Sequence, residues 1–358
     1  MSGTLSSDLG LLPDVQELEQ VVDLDAFQRH VEELSEGTEF SFAKEYSMIK
    51  RTEANDEYRD KLTPNTDETV ERNRYMNIRC IEEYRAKLTT GTQDYINASL
   101  VDVSEEEQAP RYIAAQAPLE NTFEDFWRLV WEYDVPMILM LTPWSETTGD
   151  WTRVKADPYL PLEEGNVETY GEFTVKCKAI LKADESLGIT VREYRLFPVG
   201  EEGVRRKLYH VHFVKWPDFG GVSDFSMYLE VHAEVQRCLA MARRANPSKR
   251  LGPLLTHCSA GVGRTGTFIA IDVILAELRR RAMAGRVKSS KRYHIDVASV
   301  VATLRTQRPG MVIAINQYLM VYHVIYFAVF GVSLKPAVGD PRESSALSDN
   351  ERYKKNLA

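Results

Sequence analysis

The chain has 358 residues, enough for one large core or two domains of ordinary size, and its 44% hydrophobic, 27% charged composition with 20 Gly and 15 Pro excludes collagen-like and wholly disordered chains. A net charge of -9 excludes general nucleic-acid affinity, so any anion site must be local. Four cysteines (Cys80, Cys177, Cys238, Cys258) without Cys-x2-Cys spacing make neither a disulfide scaffold nor a zinc site, and fit a reducing intracellular setting.

The opening Met-Ser-Gly-Thr-Leu-Ser-Ser-Asp lacks the basic and apolar regions of a secretory signal, so the chain is expected to stay inside the cell. Residues 1–38 are acidic, with Leu18, Val22, Phe27 and Val31 loosely at helical spacing, and read as a helical preface. Residues 94–101 alternate, placing Ile96, Ala98 and Leu100 on one side as in a half-buried strand. Similar runs follow at 112–116, 137–142, 173–181, 189–196 and 207–215, and residues 123–133 read as a helix with Phe126, Trp127, Val130 and Trp131 on one face. Residues 253–257 form a short apolar strand; a Gly-containing loop then opens a long apolar helix through Phe268, Ile271, Ile274, Leu275 and Leu278. Another helix is expected over 297–305. The stretch from Tyr318 to Leu334 contains His323 and two internal tyrosines, which predicts a buried helix rather than a membrane span. Residues 335–358 turn polar and read as a disordered tail. Mixed strands with later helices point to an α+β or α/β fold.

The string His257-Cys258-Ser259-Ala260-Gly261-Val262-Gly263-Arg264-Thr265-Gly266 sits between that short strand and that long helix. Small residues let successive backbone N–H groups turn inward, and the helix N-terminus adds positive potential, so the loop is a cradle for a phosphate-sized dianion. The same field favours the thiolate, the competent nucleophile form of Cys258. Arg264, six residues on, can bridge two phosphoryl oxygens with its planar fork. A lone Cys is ordinarily a small core residue and Cys-x5-Arg alone is weak; the whole string, correctly placed, is specific. Trp216-Pro217-Asp218-Phe219-Gly220-Gly221 ends a strand, with glycines suited to hinges. A tyrosine phenolate is a poor leaving group, so a carboxylic acid should protonate it as the P–O bond breaks; Asp218 is the candidate, and a turn Asp after Pro the bland alternative.

Taken together, the chain resembles the tyrosine-specific, cysteine-dependent protein phosphatases over roughly residues 40–332. Besides those two motifs, the resemblance rests on Asn73-Arg74-Tyr75, Asp94-Tyr95-Ile96-Asn97-Ala98, Gln116-Ala117-Pro118-Leu119-Glu120-Asn121-Thr122, Phe126-Trp127 with Val130-Trp131-Glu132, and Arg305-x-Gln307-Arg308-Pro309-Gly310-Met311-Val312 with Gln317-Tyr318. It implies an α+β fold in which helices flank a highly twisted mixed sheet, with a helical extension over 1–38, a catalytic domain over 39–334 and a tail over 335–358. By that resemblance Cys258 forms a phosphocysteine, Arg264 binds phosphate, Asp218 acts as acid and then base, Thr265 donates to the leaving thiolate and Gln317 positions water. Tyr75 walls a pocket deep enough for a phosphotyrosine ring, lined by Ile78, Phe219, Ala260 and Val262, with Ser259, Gly261 and Gly263 in the cradle. Lys155 resembles the family's substrate-side lysine, the alternative being a solvated surface lysine. The implied substrates and partners are tyrosine-phosphorylated proteins, met by a non-receptor enzyme of the cytoplasm or nucleus without membrane insertion, and no cofactor or metal is implied.

Several positions depart from the family pattern. Asn77 stands where the family carries Asp to bind substrate backbone, and Met311-Val312-Ile313-Ala314 replaces Met-Val-Gln-Thr, which removes one of two water-positioning glutamines and leaves Gln317. The carboxylate that orients Arg264 is Glu146 or Asp150. Residues 279–292 carry seven basic side chains (Arg279, Arg280, Arg281, Arg286, Lys288, Lys291, Arg292), either to dock an anionic partner or as a cation-favoured helix end and solvated loop. The expected function is phosphotyrosine hydrolysis through a phosphocysteine. The alternatives are a phosphotyrosine-binding module with poor turnover, for which Ile313 leaves room, and a dual-specificity or lipid phosphatase, which Tyr75 opposes.

Overall fold

The computed structural model describes residues 12, 15–37, 41–51, 53, 56–103, 111–216, 220–222, 224–245, 250–284 and 292–334. Helices α1 (Val15–Leu18), α2 (Leu24–Glu36), α3 (Phe42–Arg51), α4 (Asp56–Asp60) and α5 (Asp67–Glu71) precede strands β1 (Arg85–Lys87), β2 (Tyr95–Asp102) and β3 (Arg111–Ala115). Then come α6 (Phe123–Glu132), β4 (Met137–Met140), a hairpin of β5 (Ser145–Thr148) and β6 (Trp151–Val154), and the run β7 (Val167–Tyr170), β8 (Phe173–Asp184), β9 (Ile189–Pro198) and β10 (Arg206–Phe213). The remaining elements are α7 (Phe225–Ala245), β11 (Leu254–His257), α8 (Gly263–Ala284), α9 (Val297–Gln307) and α10 (Ile315–Phe330).

Among the described residues the main sheet has nine strands in the order β1-β2-β3-β11-β4-β10-β9-β8-β7. Its centre is parallel, β3 with β11, β11 with β4 and β4 with β10, while the flanks are antiparallel. The mixed sheet flanked by helices is thus the α+β architecture expected. Strands buried on both faces need apolar residues at every position. On β3 and β4, Ile113, Ala115, Ile138 and Met140 pack with Phe126 and Trp127 of α6. The alternate residues Tyr112, Ala114, Met137 and Leu139 pack with Phe268, Ile269 and Ile271 of α8 on the other face. The central strands end together, so loops 115–118, 141–142 and 258–262 meet at one carboxyl edge, where open sheets with parallel centres place ligands.

One expectation about β2 is corrected. Leu100 is 36% exposed, whereas Val101 and Ser99 are buried. Ile96 and Ala98 belong to the α6 face, whose cover runs out at Leu100; Val101 points the other way, into the core shared with α8 and α9. The strand is buried on both faces for most of its length, so alternation marks a half-buried strand where there is none.

α2 is capped by Asp23, whose side chain accepts from the Ala26 amide, and ends at Gly37 with φ 66°. Its stripe Leu24, Phe27, Val31 and Leu34 joins the main core, with Phe27 stacked 6.4 Å from Tyr322 of α10. α10 is buried, as expected for this stretch, and its hydroxyls explain why it carries so much apolar surface inside a protein. Tyr318 and Tyr322 donate to Glu45 of α3 at 2.5 and 2.7 Å, and His30 of α2 pairs with the same carboxylate at 3.2 Å. Hydrogen bonding to Glu45 raises the His30 pKa above its ordinary value. No helix among the described residues is long and apolar enough to cross a membrane.

Candidate active site

β11 delivers Cys258 to the carboxyl edge, and α8 begins at Gly263. Each backbone carbonyl of 258–262 is engaged away from the loop's interior. The Cys258 carbonyl lies 3.0 Å from His257 Nδ1, and that of Ser259 accepts from Ala117 N at 2.9 Å. Arg308, fully buried, donates to the carbonyls of Ala260 (3.1 Å) and Gly261 (2.8 Å). The Val262 carbonyl accepts from Gly266 N and Val312 N. With the acceptors turned outward, the inward positions fall to N–H groups at a helix N-terminus, which is an anion cradle. At Gly261 (φ 70°) a Cβ would stand 2.0 Å from the Ala115 carbonyl oxygen, so only glycine lets the loop lie against β3.

Behind Cys258 runs a chain of buried rings with one consistent proton order. Burial pushes the His257 pKa down to about 3, so the ring is neutral. Its Nδ1 faces a carbonyl and must carry the proton, which leaves Nε2 to accept from the Tyr159 hydroxyl at 2.7 Å. Tyr159 in turn accepts from His210 Nε2 at 3.1 Å, and burial holds His210 well below its ordinary value.

Arg264, buried in the first turn of α8, donates Nη1 to Thr142 Oγ1 (2.8 Å) and the Leu141 carbonyl (3.3 Å), and Nη2 to Glu146 Oε1 at 2.5 Å. Glu146 Oε2 binds Lys155 Nζ at 3.1 Å. Glu146, not Asp150, is therefore the orienting carboxylate, and Lys155 is a buried member of this ion cluster rather than a solvated lysine. Ser259 Oγ donates to the Lys155 carbonyl at 2.7 Å, so Tyr75 must be the donor in its 2.9 Å bond to Ser259 Oγ. That bond ties the aromatic wall to the cradle. Tyr75 is fixed from behind as well, since Arg74 bonds Gln116, the Ala117 and Pro118 carbonyls and Asp157.

The opposite wall is apolar: Ile78, Val262 and Ile313 form a cluster with Tyr75 and Ala260 against it. Val312 holds φ 56°, a genuine outlier for a β-branched residue, and its carbonyl is fixed by Tyr46 Oη (2.8 Å) and Arg305 Nη2 (3.0 Å). This strained residue turns Ile313 into the cavity. Gln317 Oε1 accepts from the Ile313 and Ala314 amides at 3.1 and 3.4 Å, capping α10.

Of the residues expected here, Tyr75, Ile78, Lys155, Ser259, Ala260, Val262, Gly263, Ile313 and Gln317 line the cavity together with Cys258 and Arg264. Gly261 does not line it and instead packs on β3, while Thr265 is fully buried with a hydroxyl that has no hydrogen-bond partner among the described residues. Asp218 and Phe219 lie outside the described residues. Arg153 also lines the cavity, which the sequence reading missed. Asn77 is exposed. Within the basic segment, Arg280 and Arg281 bind Glu277, Arg292 faces Asp23 at 3.6 Å and Arg279 is packed against His232; Arg286, Lys288 and Lys291 lie outside the described residues.

A cysteine at the floor of a backbone cradle, beside a clamped guanidinium and under an aromatic wall, is an arrangement suited to an anionic ester at the carboxyl edge of an α+β sheet. The protein-tyrosine phosphatase family model matches residues 69–327, and the chain belongs to that family. Tyrosine-protein phosphatase Lar of Drosophila melanogaster is 32% identical over 324 residues, 88% of this chain and 14% of that protein. Tyrosine-protein phosphatase non-receptor type 9 of Homo sapiens is 32% identical over 291 residues, 79% of this chain and 45% of that protein. Tyrosine-protein phosphatase 3 of Dictyostelium discoideum is 34% identical over 258 residues, covering 71% and 24%. The chain spans less than half the length of each of these relatives.

Proposed function

We propose that this protein hydrolyses phosphotyrosine in proteins, in two steps through a phosphocysteine. The observation that carries the reading is the outward engagement of all five carbonyls of 258–262, which reserves the space over Cys258 for an anion. Cys258 Sγ attacks phosphorus while the P–O bond to the tyrosine breaks, and Asp218 gives its proton to the departing phenolate. Arg264, held by Glu146, spans two phosphoryl oxygens as charge develops on them. Water then attacks the phosphocysteine, giving its proton to Asp218; the S–P bond breaks, phosphate leaves, and the Thr265 hydroxyl donates to the thiolate. Gln317 holds that water. The Tyr75 wall and the Ile78, Val262 and Ile313 surface favour an aryl ester over the shorter phosphoserine. The catalytic body spans 39–334, with the helices of 15–37 packed against it as an N-terminal extension, while 1–11 and 335–358 lie outside the described residues; the setting is the cytoplasm or nucleus, where thiols stay reduced.

The test compares turnover of phosphotyrosine, phosphothreonine and phosphoinositide by the full chain, with Cys258→Ser alongside. Phosphotyrosine should be strongly preferred, and Cys258→Ser should lose on the order of 10⁴-fold or more in kcat while still binding a phosphotyrosyl peptide, because the hydroxyl keeps the cradle's shape without a thiolate. Substantial turnover by Cys258→Ser would remove the covalent mechanism; equal rates on phosphoinositide would favour the lipid phosphatase.

A further inference from the structure

We propose that the β5–β6 hairpin reads the substrate polypeptide beside the phosphotyrosine, with Trp151 taking an apolar side chain and Arg153 an acidic one. The inference rests on the phosphatase reading above and names the sequence class of its substrates.

The register of the hairpin carries the argument. Gly149 and Asp150 form a two-residue connection, with Gly149 at φ 59° in the position that a II′ turn reserves for glycine. Pairing is unbroken, Glu146 opposite Arg153 and Thr148 opposite Trp151. Directly opposite residues share a face, as do residues two apart on one strand, so Glu146, Arg153 and Trp151 stand on the same side. That side is the one turned to the cradle: Glu146 bonds Arg264, and Arg153 lines the cavity over Cys258. On the reverse side Thr147 and Thr152 bond each other at 2.9 Å.

Neither side chain serves the fold. Trp151 is 83% exposed, and both oxygens of Glu146 are taken by Arg264 and Lys155, so Arg153 has no carboxylate partner among the described residues. Trp and Arg are the residue types that dominate binding surfaces when desolvated by a partner. The occupant is the substrate chain itself, because these residues continue the phosphotyrosine cavity outward along β6. Arg153 and Trp151 are two residues apart, about 6.8 Å along a strand, which is also the spacing of alternate side chains in an extended peptide. A substrate with an acidic residue near the phosphotyrosine and an apolar residue two positions farther out would place each opposite its partner.

The experiment measures kcat/KM for phosphotyrosyl peptides carrying a Glu and a Leu two residues apart, on the N-terminal side in one series and the C-terminal side in the other, against alanine-substituted controls. p-Nitrophenyl phosphate, which fills the cavity without reaching Trp151, is run in parallel. One series should exceed its control by about tenfold in kcat/KM, mostly through KM. Trp151→Ala should abolish the Leu preference and Trp151→Phe should keep most of it, while Arg153→Ala should abolish the Glu preference and its salt dependence. If wild type turns over p-nitrophenyl phosphate but neither series shows a preference, or Trp151→Ala leaves the peptide-to-aryl phosphate ratio unchanged, the inference is overturned and the phosphatase reading stands. If wild type turns over neither class of substrate, that reading fails and takes this inference with it.

Discussion

The wall of the cavity built by the cradle, the end of β4 and the β5–β6 hairpin holds a connected polar network: Arg264 bonds Thr142 and Glu146, Glu146 also bonds Lys155, and Tyr75 bonds Ser259, with Arg153 at its outer rim. The wall built by Ile78, Val262 and Ile313 is apolar, and Gln317 at its edge has its carbonyl oxygen committed to capping α10. The first wall is preorganised to stabilise charge on a transferring phosphoryl group, which needs no reorganisation when the reaction occurs. The second shapes an aryl ring but offers little to hold a water. On the mechanism proposed above, the site is thus better equipped for forming a phosphocysteine than for resolving it.

Glu146 is where the polar wall breaks most easily. Glu146→Gln leaves Arg264 and Lys155 as neighbouring cations without their shared counter-charge, and the guanidinium should shift away from its place over the cradle. A displacement of about 1 Å at a reacting centre costs on the order of 10²-fold, so kcat/KM on an aryl phosphate should fall by about that factor. Asp150→Asn, at the exposed hairpin turn, should leave steady-state kinetics on the same ester unchanged.

Acid should attack the same wall from behind. His212 bonds the carbonyl of Thr142, whose hydroxyl accepts from Arg264, and His257 bonds that of Cys258. Burial lowers the His212 pKa to about 4 and that of His257 to about 3. The unfolded chain protonates these rings near 6.5 whereas the folded one does not, so their stabilisation is complete above pH 6.5 and declines as pH falls below it, by roughly 2 kcal/mol for each ring at pH 5. His30 has the opposite sign: its raised pKa gives stability present below 6.5 and lost as pH rises through its folded value, but it is partly exposed and so weaker. His210, fully buried and held well below its ordinary value, adds a loss of the same sign as His212 and His257; urea unfolding at pH 7.5 and pH 5 should show the net loss, and His212→Asn should remove about a third of it.

The parts of this site that the sequence disclosed are those made by local backbone chemistry. The string from His257 to Gly266 names its own turn, glycines and helix start, and Asn73-Arg74-Tyr75 carries its wall residue within three positions. The choice between Glu146 and Asp150 was not legible, because it depends on the hairpin register, and Ser145 to Val154 carries no apolar alternation: all of β6 is exposed. Arg153 was missed for the same reason. α7 has a stripe at Tyr228, Val231, Val235, Cys238 and Ala242, yet His232 and Glu234 interrupt it on the buried side. His232 is accommodated there because it donates to Asp272 of α8 at 2.7 Å, a partner 40 residues away that no local pattern announces.

Ile313 offers the finest test of the contrast between the walls. It is 8% exposed, held in the cavity by the strained Val312, and it supplies neither donor nor acceptor. Attack on a phosphocysteine requires a water in line with the S–P bond, and phosphoryl transfer depends heavily on such positioning. The Gln317 amide nitrogen is left to hold that water, while the isoleucine surface would accept the carbon chain of an alcohol as readily as water. Dephosphorylation of the intermediate should therefore limit turnover. Rapid-quench kinetics on an aryl phosphate should show a burst near one equivalent, and added glycerol should capture part of the phosphoryl group. Ile313→Gln should speed the second step by a few-fold, shrink the burst and suppress the transfer, while the first step keeps Cys258, Arg264 and Glu146 and loses only the apolar contact of Ile313 with the aryl ring, read as a rise in KM. A wild-type trace with neither burst nor glycerol phosphate would mean that Gln317 holds the water well enough alone, and that the two walls, for all their difference in polarity, serve the two steps equally.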